Sequence, residues 1–160
     1  MQLRDVTDAD LDAVLALNED SVPHVSSIEH AQMRWFAENA SYFRVVIEND
    51  RLAGFLIGLR PGLDYPSENY RWFCDNYEEF AYVDRVAVDK SARRLGVASM
   101  LYEDFGNQFR NEVPRMTCEV NIRPANEGSM RYHILRGFVQ VATQKTEGGK
   151  KEVALMEMRF

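Results

Sequence analysis

An anion-binding pattern follows a predicted buried strand in the middle of the chain. The strand ends at Val88, and residues 93–98 (RRLGVA) lead into a predicted amphipathic helix. Main-chain N–H groups at the start of a helix bind anions, because the positive end of the helix dipole lies there. Gly96 and Ala98 are small and let a phosphate approach the backbone, and the two arginines add charge-assisted hydrogen bonds. The segment predicts a site for a small polyanionic ligand; the alternative is a solvated basic turn before the helix.

The spacing of this segment differs from the two common nucleotide-binding patterns. It lacks the Gly-Lys-Ser/Thr of a Walker A loop, and it contains no Gly-x-Gly-x-x-Gly. The sequence therefore does not favour nucleoside triphosphates or dinucleotides as ligands. The net charge of −6 also argues against a nucleic-acid partner, because proteins that bind a phosphate backbone usually present a basic face.

A second pattern lies in residues 126–138 (NEGSMRYHILRGF). Residues 93–98 resemble the Gln/Arg-x-x-Gly-x-Gly/Ala signature of the GNAT N-acetyltransferase superfamily, and residues 126–138 are similar to its Asn-x-x-Ser/Ala-x-x-Phe/Tyr-Tyr-x-x-x-Gly-Phe block. The two motifs in this order are more specific than either alone. The resemblance covers the whole chain, most closely residues 80–140 and least closely residues 60–79. The chain also resembles a bacterial subgroup of acetyltransferases with an aromatic-His pair in the second motif.

The resemblance implies that acetyl-coenzyme A is the acetyl donor. The loop starting at Arg93 would hold the pyrophosphate, and the backbone at Val86 and Val88 would pair with the pantetheine arm like an added strand, between two parallel strands that must separate. The Val86 N–H would stabilise the negative charge that grows on the thioester oxygen. Asn126 would contact the cofactor or cap its helix, a position where Asn is favoured. The predicted cofactor-binding residues are Val86, Ala87, Val88, Arg93, Arg94, Leu95, Gly96, Val97, Ala98, Ser99, Asn126 and Ser129.

One position of the second motif departs from the superfamily pattern. Where most members have a tyrosine that can protonate the leaving thiolate, this chain has His133, preceded by Tyr132. Adjacent helical residues point about 100° apart, so Tyr132 cannot simply replace that tyrosine. Histidine can donate a proton near neutral pH, so we predict His133 as the general acid. The alternative is a partly buried histidine that hydrogen-bonds a neighbour.

The general base has two candidates, both carboxylates on predicted strands. An ammonium group must lose a proton before it attacks, and a carboxylate or a carboxylate-bound water usually accepts that proton. Strand alternation places Asp84 on the same face as Tyr82, Val86 and Val88, so Asp84 is the first candidate. Glu119, on the next strand, is the second. An ion pair with a neighbouring arginine is the alternative role for Asp84.

The amine acceptor should contact the irregular parts of the chain. Residues 18–25, between two predicted helices, and the aromatic-rich residues 65–73 are the candidates, because aromatic rings bind amines through cation–π contacts. The alternative is that these aromatic residues only pack against the core. The predicted acceptor-binding residues are His24, Tyr70, Trp72 and Tyr82. The three histidines show no metal-ligand spacing, so we expect no metal.

Hydrophobic patterning places all these residues on a mixed α/β sheet. The predicted order is β-α-α-β-β-β-α-β-α-β-β, where the strand–helix–strand unit implies a parallel pair and the hairpins imply antiparallel neighbours. Thr7-x-x-Asp10 and Ser26-x-x-Glu29 predict helix starts, and Asn49-Asp50 predicts a tight turn. We expect one GNAT-like α/β domain over residues 1–160, with a mixed central sheet of six to seven strands and about four helices. Residues 60–79 would be an aromatic-rich insertion, forming a lid or containing a short helix.

The predicted activity is transfer of an acetyl group from acetyl-CoA to a small-molecule or peptide amine, by direct attack in a ternary complex. The alternatives are a non-catalytic CoA-binding sensor or interaction module on the same fold, and a transferase of a longer acyl group. Two distant cysteines fit a reducing cytoplasm, and the longest apolar stretch, residues 52–57, is far too short for a membrane span. The apolar stripe of the last strand (residues 154, 156, 158 and 160) would be core, or a homodimer surface if it is exposed.

Overall fold

The computed structural model describes every residue from Met1 to Phe160 and contains seven strands and five helices. In chain order these are β1 (Gln2–Asp5), α1 (Leu11–Asp20), α2 (His30–Asn39), β2 (Tyr42–Glu48), β3 (Arg51–Leu59), α3 (Glu68–Asn76), β4 (Ala81–Val88), α4 (Val97–Phe109), β5 (Arg115–Arg123), α5 (Glu127–Leu135), β6 (Val139–Thr146) and β7 (Lys151–Arg159). The predicted element order is confirmed, with α3 added inside the aromatic-rich segment.

The strands form one mixed sheet in the order β1-β2-β3-β4-β5-β7-β6. β4 and β5 are parallel, whereas β1–β2, β2–β3, β5–β7 and β6–β7 are antiparallel. The α/β class and the mixed sheet are therefore confirmed. No helix has both the length and the apolar character that a membrane crossing requires.

The contacts within the chain define two compact units. The first unit comprises residues 1–59 and 85–108. Its β2–β3 hairpin turns at Asn49 and Asp50, which both have positive φ (51° and 59°), as a two-residue hairpin turn of type I′ requires. Helix α4 packs tightly on β3, because an added Cβ at Gly58 would lie only 2.2 Å from the Phe105 ring.

The second unit comprises residues 60–84 and 109–160. Helix α3 packs its Tyr70 and Phe73 rings against Tyr82 at the start of β4, with centroid distances of 5.6 Å in both pairs. Ser67 caps α3 by accepting a hydrogen bond from the Tyr70 N–H. Residues 60–79 therefore contain the short helix that the sequence left open, and its aromatic side chains contribute to the core.

Two helix starts were predicted from capping patterns, and only one is confirmed. Thr7 and Asp10 form a capping box, in which the Asp10 carboxylate accepts from the Thr7 N–H at 2.7 Å. The prediction for Ser26 is wrong, because the N-cap of α2 is Glu29, three residues after Ser26, and the helix begins at His30. Ser26 instead accepts hydrogen bonds from Arg85, which is distant in sequence.

Candidate functional site

The predicted anion-binding segment forms a turn in the first unit that joins β4 to α4. The turn begins at Asp89, whose N–H donates to the Ala53 carbonyl at 2.8 Å. The Asp89 carboxylate accepts from the Ser91 N–H at 2.9 Å and from the Ser91 hydroxyl at 2.5 Å. These bonds lower the pKa of Asp89, so its carboxylate is ionised and stabilises the single 3-10 turn of residues Lys90–Ala92.

Two residues with left-handed backbone shape the end of this turn. Arg94 has φ 68° and Gly96 has φ 82°, immediately before α4 begins at Val97. No protein atom lies within 4 Å of a Cβ built on Gly96, so space beside the backbone is open there. Glycine adopts positive φ without steric cost, and a side chain would occupy the space that a ligand needs.

The start of α4 presents unpaired donors. The Met100 N–H donates to the Gly96 carbonyl at 2.9 Å. The N–H groups of Gly96, Val97 and Ala98 come before this bond and have no acceptor in the protein, as is usual for the first turn of a helix. With exposed Arg93 and Arg94 beside them, these groups form a cationic, donor-rich site that suits a phosphate or diphosphate.

A cavity of about 160 Å³ adjoins this turn within the first unit. It lies where the C-terminal end of α1 meets the end of β4. Its lining residues are Leu17, Asp20, Ser21, Val88, Asp89, Lys90 and Arg93. The cavity therefore continues from the cationic turn to the chain segment after α1.

The face of β4 that carries the predicted site residues follows the expected alternation. Asp84, Val86 and Val88 are half-buried, whereas the intervening Arg85 and Ala87 are buried. This alternation places Asp84 and Val86 on one face of the strand.

Pairing between β4 and β5 stops after two residues. Within the second unit the register partners are Ala81 with Met116 and Tyr82 with Thr117, and the register does not continue to Val83 or Asp84. An extended ligand arm needs such an end to the pairing of parallel strands.

In the second unit Tyr82 and Glu119 form a short hydrogen bond. The Tyr82 hydroxyl donates to Oε2 of Glu119 at 2.5 Å. Tyr82 has no solvent exposure, and burial together with the charges of Glu119 and Asp84 raises its pKa well above the ordinary value. The hydroxyl therefore keeps its proton, and the half-buried Glu119 is held in a fixed orientation.

His133 lies on α5, is 5% exposed and packs edge-on against the Phe138 ring. Its Nδ1 lies 2.7 Å from the Ser129 carbonyl oxygen, so Nδ1 carries the proton in the neutral ring and Nε2 is the acceptor atom. Burial lowers the pKa of His133 and favours this neutral form, although the Ser129 carbonyl opposes the shift.

Asn126 and Ser129, the second-motif residues predicted to bind the cofactor, contact each other at the start of α5. Asn126 caps α5, because its side-chain oxygen accepts from the Ser129 N–H at 3.3 Å. This contact is the capping alternative that the sequence left open beside cofactor binding.

The predicted acceptor-binding residues differ in exposure. His24 is exposed, Trp72 is half-buried, and Tyr70 is buried with its hydroxyl donating to the Arg60 carbonyl at 2.7 Å. Tyr70 therefore has the packing role that the sequence also allowed, and its contact with an acceptor stays a prediction. The structure contains no cluster of His, Cys, Asp and Glu side chains that could hold a metal ion.

Two residues that shape the candidate site were not predicted from the sequence. Arg85 is a buried arginine on β4 whose hydrogen-bond partners are more than fifty residues away in the chain. The only signal in the sequence is its position inside an alternating strand. Gly54 allows β3 to approach the start of α4, because an added Cβ would lie 2.7 Å from Val97 Cγ1.

Comparison with known proteins identifies relatives of this arrangement. The sequence model described as "Acetyltransferase (GNAT) family" matches residues 11–138. Among curated protein sequences no match is found. The fold is similar to that of a ribosomal-protein-alanine N-acetyltransferase from Brucella melitensis, with 20% identity, a TM-score of 0.75 and 100% of both chains covered.

Two further solved structures have the same fold. Ard1 from Thermoplasma volcanium has 19% identity and a TM-score of 0.79, with 99% of this chain and 96% of that chain covered. Arabidopsis thaliana NAA60, solved in complex with a bisubstrate analogue, has 16% identity and a TM-score of 0.79, with coverages of 99% and 97%. At these identities the similarity shows the fold alone.

Proposed function

Because the chain belongs to the acetyltransferase (GNAT) family, we propose that it transfers the acetyl group of acetyl-CoA directly to a primary amine. The observation that carries this proposal is the turn of residues 93–98. There the unpaired N–H groups of Gly96, Val97 and Ala98 lie beside two exposed arginines and an open space at Gly96. This chemistry suits the diphosphate of coenzyme A.

The β4 strand supplies the second part of the proposed cofactor site. The backbone at Val86 and Val88 pairs with the pantetheine arm, and the Val86 N–H stabilises the charge that develops on the thioester oxygen. The end of the β4–β5 register after Tyr82 supports this assignment, since main-chain groups beyond that point lack a β5 register partner.

The amine must lose a proton during attack, and we assign this role to Glu119 or Asp84. Glu119 is supported by its hydrogen bond from Tyr82, which orients the carboxylate. Asp84 is supported by its half-buried place on the Val86 face of β4. A carboxylate in either position, directly or through a water molecule, suits proton removal from an ammonium group.

When the C–S bond breaks, the coenzyme A thiolate takes up a proton, and we assign its delivery to His133. Since Nδ1–H is bonded to the Ser129 carbonyl, the proton must come from Nε2 of the imidazolium form. Burial makes this imidazolium a stronger acid but a scarcer species at neutral pH. The buried neutral ring is also the observation that favours the second candidate function, a protein that binds coenzyme A without turnover.

The release of free thiol distinguishes the two candidates. Purified protein would be mixed with acetyl-CoA, a thiol reagent and a panel of amines comprising amino acids, a polyamine, an aminoglycoside and peptides with different N-terminal residues. Amine-dependent thiol release supports the transferase. Acetyl-CoA binding in calorimetry without release from any amine supports the sensor, and absence of binding contradicts both. Replacing acetyl-CoA by longer acyl-CoA donors in the same assay tests the acyl length.

A further inference from the structure

The segment between α1 and α2 is held by little apolar packing. None of residues 21–29 is buried, and Val22, Pro23 and His24 are exposed. The local turn is closed by hydrogen bonds such as His24 N–H to the Ser21 carbonyl at 2.9 Å. Because hydrophobic burial does not fix this segment, its position must depend on polar contacts to the rest of the first unit.

Arg85 supplies those contacts from β4. Its side chain is buried, with 5% of the residue exposed, and its Nη1 donates to the Asn18 side-chain oxygen at 3.0 Å and to the Ser26 carbonyl at 3.1 Å. Nη2 donates to the Ser26 hydroxyl at 3.0 Å. The guanidinium carbon also lies 5.2 Å from the centre of the Phe36 ring. A planar guanidinium serves several acceptors at fixed angles, which a lysine ammonium does not do.

Asn18 and Glu19 extend this network along the segment. Asn18 is fully buried at the end of α1, and its amide nitrogen donates to the Ser26 carbonyl at 3.1 Å and to Glu19 at 2.8 Å. Glu19 accepts from the Ser27 hydroxyl and from the Ile28 N–H. These hydrogen bonds, the one from Ser27 first, lower the pKa of Glu19 and keep it ionised. Ser26 is thus held by two buried side chains at once.

The C-terminal end of α1, where this network begins at Asn18, forms one wall of the cavity beside the cationic turn. Leu17, Asp20 and Ser21 line that cavity together with Val88 and Arg93. We propose that Arg85 is a positioning residue that fixes residues 18–28 beside this cavity and thereby determines the affinity for the amine acceptor. The proposal rests on the acetyltransferase function proposed above. It assigns Arg85 no contact with either substrate.

Two variants test this role. Ser26→Ala removes one acceptor of the guanidinium and changes an exposed side chain, so it should fold; Arg85→Lys keeps the charge and removes the planar fork. Arg4→Lys is the matched control, because Arg4 also donates hydrogen bonds through two guanidinium nitrogens, in its case to the Asp10 carboxylate at the opposite end of α1. Hydrogen exchange of the His24, Val25 and Ile28 amides and the kinetic constants of the acetyl transfer would be measured for all four proteins.

We expect faster exchange at the three amides in both test variants and unchanged exchange in Arg4→Lys. The KM for the amine should rise about tenfold in Arg85→Lys, an ordinary effect for losing hydrogen bonds to a charged group, while the acetyl-CoA affinity and kcat change less than about twofold. Unchanged exchange in both variants would overturn the claim that Arg85 fixes the segment. Faster exchange with an unchanged KM would overturn the claim on acceptor affinity.

The exchange measurement needs no catalysis, so it separates this inference from the proposed function. If the unaltered protein binds acetyl-CoA but acetylates no amine, the acetyltransferase function and the claim on acceptor affinity both fail. The exchange rates would then still confirm or overturn the role of Arg85 in fixing residues 18–28.

Discussion

The hydroxyl of Tyr82 on β4 donates to Oε2 of Glu119 on β5, with 2.5 Å between the two oxygen atoms. Thirty-seven residues separate them in the chain, and the register of the parallel strands, which pairs Tyr82 with Thr117, brings them together. The complete burial of Tyr82 and this bond give it a direct part in orienting Glu119. Contact of Tyr82 with the acceptor stays a prediction.

If Glu119 is the general base, Tyr82→Phe should lower kcat for acetyl transfer, because the carboxylate loses the hydrogen bond that orients it. The acetyl-CoA affinity should not change. Tyr42→Phe is the matched control, since Tyr42 is a buried tyrosine that donates to Asp104 at 2.7 Å in the other unit. Both variants should lose about 1–2 kcal/mol of stability. An unchanged kcat in Tyr82→Phe would favour Asp84 as the base.

Gly96→Ala should weaken acetyl-CoA binding by at least about tenfold, because its Cβ would occupy the open space beside unpaired N–H groups and its φ of 82° disfavours alanine. Gly62→Ala is the control, with a φ of 96° and no atom within 4 Å of the added Cβ. Both changes should cost about 1 kcal/mol of stability through backbone strain. Calorimetry should then show lower affinity only for Gly96→Ala; equal affinities would contradict the phosphate-binding turn.

Replacing His133 by alanine should lower kcat by roughly a hundredfold, the usual scale of general acid catalysis, while acetyl-CoA affinity changes little. His133→Gln tests whether hydrogen bonding alone is sufficient, because an amide cannot deliver a proton. Steady-state kinetics and calorimetry on both variants check this. An equal loss of binding and turnover, or no loss of either, would show that His133 is structural.

The burial of His133 also makes stability depend on pH. Its pKa is lowered below 6.5 in the folded protein, whereas the unfolded chain takes up the proton near 6.5. The free energy of unfolding should therefore fall as the pH drops below about 6.5, by up to about 1.4 kcal/mol per pH unit, until the folded protein is protonated too. Urea denaturation at several pH values should show that the free energy of unfolding of His133→Phe depends less on pH than that of the unaltered protein.

Gly58→Ala should destabilise the protein by about 1–3 kcal/mol, because the new Cβ would lie 2.2 Å from a carbon of the buried Phe105 ring. Gly128→Ala, on α5 with open space around it, should instead stabilise by about 0.5–1 kcal/mol through helix propensity. Thermal denaturation of the two variants checks the opposite signs. A neutral Gly58→Ala would mean that α4 does not pack closely on β3.

Local signals predicted the elements that hold the site. The Asn49-Asp50 turn and the Thr7–Asp10 capping box depend on residues close in sequence, and both are observed. The cationic turn could also be predicted from the sequence, because one short segment supplies the arginines, the glycine and the helix start. Helix α3 also has a local signal in the sequence, namely Ser67 as a favoured N-cap before Tyr70 and Phe73.

Contacts between distant segments could not be read from the sequence. Ser26 looks like a helix cap, but Arg85, fifty-nine residues later, and the buried Asn18 bind its hydroxyl and carbonyl groups. The choice between local capping and a buried arginine depends on tertiary packing, which overrides local propensity. The same limit explains why the sequence left Asp84, the first candidate, and Glu119, the second, both open as the base.

Arg94 occupies a backbone conformation that costs a non-glycine residue about 1 kcal/mol or more. Glycine at this position would relieve that strain and remove a cation from the turn. Directed evolution for heat resistance alone should therefore enrich Arg94→Gly. The resulting protein should have a higher thermal stability and a lower affinity for coenzyme A. Selection for stability therefore favours glycine at position 94, whereas selection for turnover favours arginine.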